Sequence, residues 1–340
     1  MKSIFKTGLA ATALVGLAAA PAVAQGTLQK VKDRGELACG VNTGIAGFSA
    51  PDEKGKWTGI DVDVCRAVAA AIFKDGSKVK YVPLTAKERF TALQSGEVDV
   101  LSRNTTWTMS RDTSAGMNFA GINYFDGQGF MVNKSLGVKS AKELSGASIC
   151  VQTGTTTELN VADYFRQTGM PYKPVVFEKL PETIAAYNAG RCDVFTSDAS
   201  QLYATRLTLG NPADHIVLPD VISKEPLGPA VRQGDAQWAN IVRWVLFALV
   251  NAEELGVTSA NVDKMLESPN PEIKRMLGTE GDFGKGIGLD NDWAMQAIKA
   301  VGNYGESFER NVGQGSRLKI SRGQNALWRD GGLQYAPPIR

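Results

Sequence analysis

The chain has 340 residues with 37 Lys+Arg, 35 Asp+Glu, a single His and four Cys. A formal charge of +2 gives no basic field for nucleic acid and no acidic field for cationic partners, and a single His excludes metal sites built on two or three histidines. At about 100–200 residues per domain the length suits two domains, and any Ser-His-Asp or Cys-His catalysis would have to pass through His215.

The chain begins with Lys2 and Lys6 ahead of an apolar run from Leu9 to Ala20, and Ala22-Val23-Ala24 presents the small residues a signal peptidase reads. Residues 1–24 are therefore expected to be a secretory signal cleaved after Ala24, so the mature chain is expected to be exported. The apolar run is too short for a bilayer span of about 20 residues, and no Cys follows it to carry a lipid. Removing Lys2 and Lys6 takes 37 basic residues to 35 against 35 acidic ones, so the mature chain has no formal charge.

From Thr27 onward strands and helices alternate. A strand is expected at Leu37–Val41, a helix at 61–73, a strand at 79–82, a helix at 86–95 and a strand at 98–101. A second set repeats the layout: strand 147–151, helix 158–168, strand 173–177, helix 182–189 and strand 193–196. In both sets a helix ends at Gly, Gly96 or Gly190, and an Asp-Val strand follows. This βαβ order implies two α/β lobes, each a mostly parallel sheet flanked by helices, with a ligand cleft between them. Beyond Glu225, the segment Trp238 to Leu249 places Trp238, Ile241, Val242, Val245 and Leu249 on one helical face, a core helix. Gly278 to Gly288 reads as a loop and Asp292 to Val301 as a helix.

Cys39, Cys65, Cys150 and Cys192 fall two in each set, without Cys-x-x-Cys spacing. In an oxidising compartment disulfides are favoured, and three connectivities are open. Cys39 with Cys65 and Cys150 with Cys192 is the expected pairing, since each bond would join elements of one half; four buried thiols are the alternative.

Polar residues gather directly after the expected strands, where open α/β sheets receive ligands. Ser102 to Asp112 supplies Arg103, Asn104, Thr106 and Arg111, whose guanidinium matches a carboxylate. Gln152 to Glu158 supplies Thr155, Thr156 and Thr157 at a helix start, and Asp198 follows the next strand. Each has a local alternative: Arg111 paired with Asp112, Thr155 as an N-cap with Glu158, and Asp198 as a cap. Together they present a cation and N–H groups for a carboxylate and an acid for an ammonium, the charges of an α-amino acid.

These residues, with Trp57 to Val64, the segment ending in Arg111, Gly154 to Glu158, and Gly190 to Asp193 followed by Asp198, resemble the periplasmic solute-binding proteins of polar amino-acid ABC transporters. The tail around Val301 to Glu306 and Gly323 to Trp328 is similar to the general L-amino-acid-binding subgroup. The resemblance implies the type II two-lobed fold: lobe 1 over 25–131, lobe 2 over 132–226, and a return segment with a C-terminal extension over 227–340. It assigns the ligand α-carboxylate to Arg111, Thr106 and Thr156, and the ammonium to Asp198 and the Asn104 carbonyl. Thr155 and Thr157 stand beside Thr156. Family members selecting basic side chains carry an acid where this chain has Asn42, an aromatic at Ile45 and a bulkier residue near Ala86. A roomier, neutral side-chain subsite is therefore expected, lined by Arg103 and Gln152, unless Arg103 is a solvated surface residue. The expected partners are a free L-amino acid, with broad specificity, and a membrane-embedded ABC permease; a monomer without cofactor is expected. The rival readings are an enzyme on the same fold, such as a cyclohexadienyl-type dehydratase, and a ligand-sensing domain.

Overall fold

The computed structural model describes residues 26–340, so the expected signal segment lies outside it. Its strands are β1 (Leu37–Val41), β2 (Ala50–Pro51), β3 (Trp57–Thr58), β4 (Val79–Pro83), β5 (Val100–Leu101), β6 (Met117–Phe119), β7 (Tyr124–Asp126), β8 (Gln128–Asn133), β9 (Ser148–Gln152), β10 (Lys173–Phe177), β11 (Val194–Asp198), β12 (His215–Val217), β13 (Glu225–Leu227) and β14 (Ala230–Arg232). Two five-stranded sheets form, ordered β4-β1-β5-β14-β6 and β10-β9-β11-β8-β12. In each, three strands are parallel, joined through helices, and one reversed strand, β14 or β8, pairs antiparallel with a neighbour on either side. The repeat seen in the sequence is thus a repeat of strand order.

The parallel strands read as apolar runs because both faces are covered. All of β1 is buried, with the helix Ile60–Phe73 packed on it and joined to it by the Cys39–Cys65 disulfide. That helix starts at Gly59, where φ is 133° and an added Cβ would lie 2.0 Å from the Phe48 carbonyl oxygen. Only Gly permits the approach. The helix Ala236–Glu254 buries Trp238, Ile241, Val242, Val245 and Leu249, as its periodicity requires.

The chain passes between the sheets twice, through β7 and back through β13, and these two strands pair antiparallel with Glu225 opposite Asp126. The division expected at residue 131 falls inside β8, all of which pairs within the second sheet, so the crossing lies a few residues earlier. Disulfides join Cys39 to Cys65 and Cys150 to Cys192, each within one sheet and its flanking elements.

One segment differs from the sequence reading. The expected loop from Gly278 to Gly288 holds a helical turn, Phe283–Ile287, because Gly284 and Gly278 let the backbone close against Asp290 and Asn291. The C-terminal extension is a structural member. Its helix Tyr304–Asn311, opened by an Asn303/Glu306 capping box, sends Ser307, Arg310 and Asn311 to the buried carboxylate of Asp63. Further on, the Asn325 side chain accepts from the Phe125 N–H (2.7 Å) and donates to its carbonyl (3.0 Å), pairing with β7 as a neighbouring strand would.

Candidate ligand site

The carboxyl ends of β1, β5, β9 and β11 converge between the sheets, and a pocket there is lined by Asn42, Arg89, Arg103, Asn104, Thr106, Gln152, Thr155, Thr156, Thr157, Ser197, Asp198 and Gln201. Nine of the ten ligand residues expected from the sequence are in that lining; Arg111 stands beside it. The lobes touch across it: the hydroxyls of Thr106 and Thr156 are 3.3 Å apart, and the Gly154 turn, at φ 74°, packs on the backbone of Lys87.

The first wall is fixed by the start of the helix Ile60–Phe73. Asp61 is buried and accepts from the Asn104 N–H (2.7 Å) and the Asn123 side chain (2.9 Å). Asn104 is thereby held at φ 38°, a left-handed conformation that Asn tolerates. Asn42 donates to Asn104 Oδ1 (3.1 Å), so its amide orients Asn104. Burial raises the Asp61 pKa to about 6, opposed by its hydrogen bonds from Asn123 and Asn104 and by the Arg103 charge.

Arg103 is only 3% exposed, which overturns the surface alternative; its Nε donates to the Leu84 carbonyl (2.9 Å), and burial lowers its pKa to about 10. Arg89, which sequence reading missed, is equally buried. Its Nη1 donates to Thr105 (3.3 Å), its Nε has no partner, and its guanidinium lies over the Phe90 ring, as does that of Arg111. Burial, then the neighbouring Arg111 and Arg103, holds Arg89 well below its ordinary pKa. Arg89 and Arg103 thus bring two guanidinium groups to the pocket lining. A clue was present: Arg89 stands in the first turn of the helix Glu88–Ser95, three and four residues before the buried Ala92 and Leu93.

Arg111 is buried and unpaired with Asp112; Nη1 donates to the Thr106 carbonyl (2.9 Å), and Thr108 caps its short helix. On the second wall Thr155 accepts from the Glu158 N–H (3.1 Å) and donates to the Gln152 carbonyl (2.6 Å), so its hydroxyl serves the helix. Glu158 reaches back to the Gly154 N–H rather than to the cap residue. Thr157 bonds Thr155 (2.8 Å), and Gln152 donates to the Glu178 carbonyl (2.9 Å).

Asp198 is the sharpest feature. It is 6% exposed, does not cap the helix Ala199–Arg206, and among the described residues its carboxylate makes neither a hydrogen bond nor an ion pair. Burial raises its pKa well above the usual carboxylate range; Asp126 and Glu225 add to the rise, and Arg89 and Arg111 oppose it. Asp126, in β7, is itself raised to about 6 by burial while accepting from Ser200. Neither Asp126 nor Glu225 was marked by the sequence reading, since both sit in the crossing strands and not after a parallel one.

Residues 37–260 match the family model of bacterial extracellular solute-binding proteins, family 3. The chain belongs to that family. This solute-binding protein is 66% identical to the general L-amino acid-binding periplasmic protein AapJ of Rhizobium johnstonii, over 97% of both chains. It is 58% identical to the glutamate/glutamine/aspartate/asparagine-binding protein BztA of Rhodobacter capsulatus, over 100% of this chain and 99% of the relative. An ABC transporter/periplasmic binding protein from Brucella ovis, solved with glutathione bound, superimposes with a TM-score of 0.91 at 64% identity, covering 93% of this chain and all of that one. The fold is accordingly the two-lobed periplasmic-binding-protein fold.

A carboxyl group whose folded pKa is raised favours the folded state at low pH and loses that contribution as pH rises through the folded value. For Asp61 the window is about pH 4 to 6. Over it, wild type should lose on the order of 2–3 kcal/mol of unfolding free energy relative to Asp61→Asn, measured by urea titration. Parallel pH profiles would contradict the assignment.

Proposed function

We propose that this chain binds free L-amino acids in the periplasm, after cleavage behind Ala24, and presents them as a monomer to the permease of an ABC transporter. The observation that carries this is the pattern of buried ionisable groups that make no ion pair among the described residues: Asp198 on one wall, Arg89 and Arg103 across the pocket, and Arg111 behind Thr106. Desolvated charges of this kind are costly unless a ligand supplies their counterparts. A zwitterion does so.

In this reading Arg111 and the N–H groups of Thr106 and Thr156 receive the α-carboxylate, while Asp198 and the Asn104 carbonyl receive the ammonium. Arg103, Arg89 and Gln152 face the side chain; Asn42 acts through Asn104, and Thr155 and Thr157 shape the helix start. Two guanidiniums favour acidic and amide side chains, in keeping with the ligands named for the Rhodobacter relative. The name of the Rhizobium relative and the glutathione of the Brucella structure support tolerance of size. The units that move are the two sheets with their helices, on either side of the β7–β13 crossing. A ligand touching both stabilises closure by its differential affinity for the closed state. The reading as a binder that releases its ligand unchanged, and not as a dehydratase, rests on relatives named as binding proteins and on Asp198, the one acid in the lining, being engaged as the counter-ion.

Arg111→Ala should weaken amino-acid binding by about 2–5 kcal/mol, roughly thirty- to several-thousand-fold, in titration calorimetry. Unchanged affinity removes the carboxylate role. Burial raises the Asp198 pKa in the free protein and an ammonium ligand favours the ionised form, so binding should release protons and affinity should climb as pH rises. Calorimetry in two buffers of different ionisation enthalpy should detect proton release with L-glutamate, absent with its deaminated analogue and in Asp198→Asn. Equal proton release for both ligands would reject the ammonium site.

A further inference from the structure

Glu225 opens β13, on the return crossing, and is 1% exposed. Both of its carboxylate oxygens are fully engaged. Oε2 accepts from the hydroxyls of Thr106 (2.6 Å) and Thr156 (2.8 Å), and Oε1 accepts from Asn160 Nδ2 (2.7 Å) and the Ser223 hydroxyl (2.7 Å). Thr106 belongs to the loop behind β5 in the first sheet; Thr156 and Asn160 lie one turn apart at the start of the second-sheet helix Thr156–Thr168. One carboxylate therefore ties together a first-lobe loop, a crossing strand and a second-lobe helix. It does so through the hydroxyls of the two threonines whose N–H groups were assigned above to the ligand carboxylate.

The strength of this junction follows from its chemistry. Hydrogen bonds to an ionised carboxylate are about twice as strong as neutral ones, and burial keeps water from competing for them. No cation pairs with Glu225 among the described residues; its charge is held by four oriented neutral donors. Separating the lobes would strip either Thr106 or the Thr156–Asn160 pair from it. The threonine hydroxyls are thus satisfied from within the protein, whereas the N–H of Thr156, in the first turn of its helix, has no intrahelical acceptor and can serve a ligand.

We propose that Glu225 is an internal latch, a built-in carboxylate that holds the lobes together through Thr106, Thr156 and Asn160 and sets the closed fraction of the ligand-free protein. The proposal rests on the pocket being the ligand cleft. Apparent affinity scales with the fraction of protein in the binding-competent state, so a latch that does not touch the ligand shifts every affinity by one common factor. Closure is then shared between the ligand and the protein, which suits a site that accepts several side chains.

Two variants test the latch. Glu225→Gln turns half of the acceptor pair into a donor facing donors. Asn160→Asp leaves Glu225 intact and sets a second carboxylate against it at a half-buried position. In small-angle X-ray scattering both should have a larger ligand-free radius of gyration than wild type and the wild-type value when saturated. Calorimetry with L-glutamate, L-glutamine and L-asparagine should give affinities lowered roughly tenfold or more, by the same factor for all three. Ligand-free scattering identical to wild type in Asn160→Asp overturns the latch, and that variant decides if Glu225→Gln fails to fold. Losses that differ between ligands overturn it too, making Glu225 a ligand contact. If wild type binds none of the three, the amino-acid reading fails, and the ligand-free scattering comparison still decides the latch.

Discussion

The cost of burying charge without a protein counter-ion shapes everything around the cleft. Arg89, Arg103 and Arg111 make their hydrogen bonds to Thr105, to the Leu84 carbonyl and to the Thr106 carbonyl, all neutral acceptors, and the Asp198 carboxylate makes none among the described residues. Neutral partners orient a guanidinium without neutralising it, and its charge remains available. The fold sustains this because the groups sit at strand ends and loop turns anchored by two disulfides, a buried Asp61 and two five-stranded sheets.

The acids are distributed with a similar logic. Asp61 accepts one hydrogen bond on each oxygen and Glu225 two on each, and both act as fixed struts, one setting the Asn104 turn and one bridging the lobes. Asp198 is held in reserve, and burial together with the nearby Asp126 and Glu225 pushes it toward its neutral form. Acid chemistry is thus divided by environment, with carboxyl groups fixed as struts or left without a hydrogen bond according to the donors around them. The C-terminal extension enters the same scheme from outside. Asp63 gathers Ser307, Arg310 and Asn311, and Asn325 reads the Phe125 backbone, so the extension holds the very strand about which the lobes would turn.

Much of this was legible in the sequence, for physical reasons. Apolar runs such as Leu37–Val41 must be strands covered on both faces, and the polar residues that follow them must lie at the open end of a sheet. That rule located Asn104, Thr106, Arg111, Thr156 and Asp198. It could not locate Arg89, which enters the pocket from a helix, or Glu225 and Asp126, which come from crossing strands of three residues each. For Arg103 it left a surface alternative open, because an arginine flanked by Ser and Asn has the composition of a surface loop; burial and the bond to the Leu84 carbonyl decide for the pocket. The Gly278–Gly288 segment was misread through composition in the same way, since its glycines serve close packing of a helical turn.

The most direct test is the crystal structure of the mature chain with L-glutamate bound. The account predicts the ligand between the sheets with its α-carboxylate about 3 Å from the Arg111 guanidinium, its ammonium about 3 Å from Asp198, and its side-chain carboxylate directed to Arg89 and Arg103. A ligand bound outside this pocket, or bound in it with the ammonium turned away from Asp198, would contradict it.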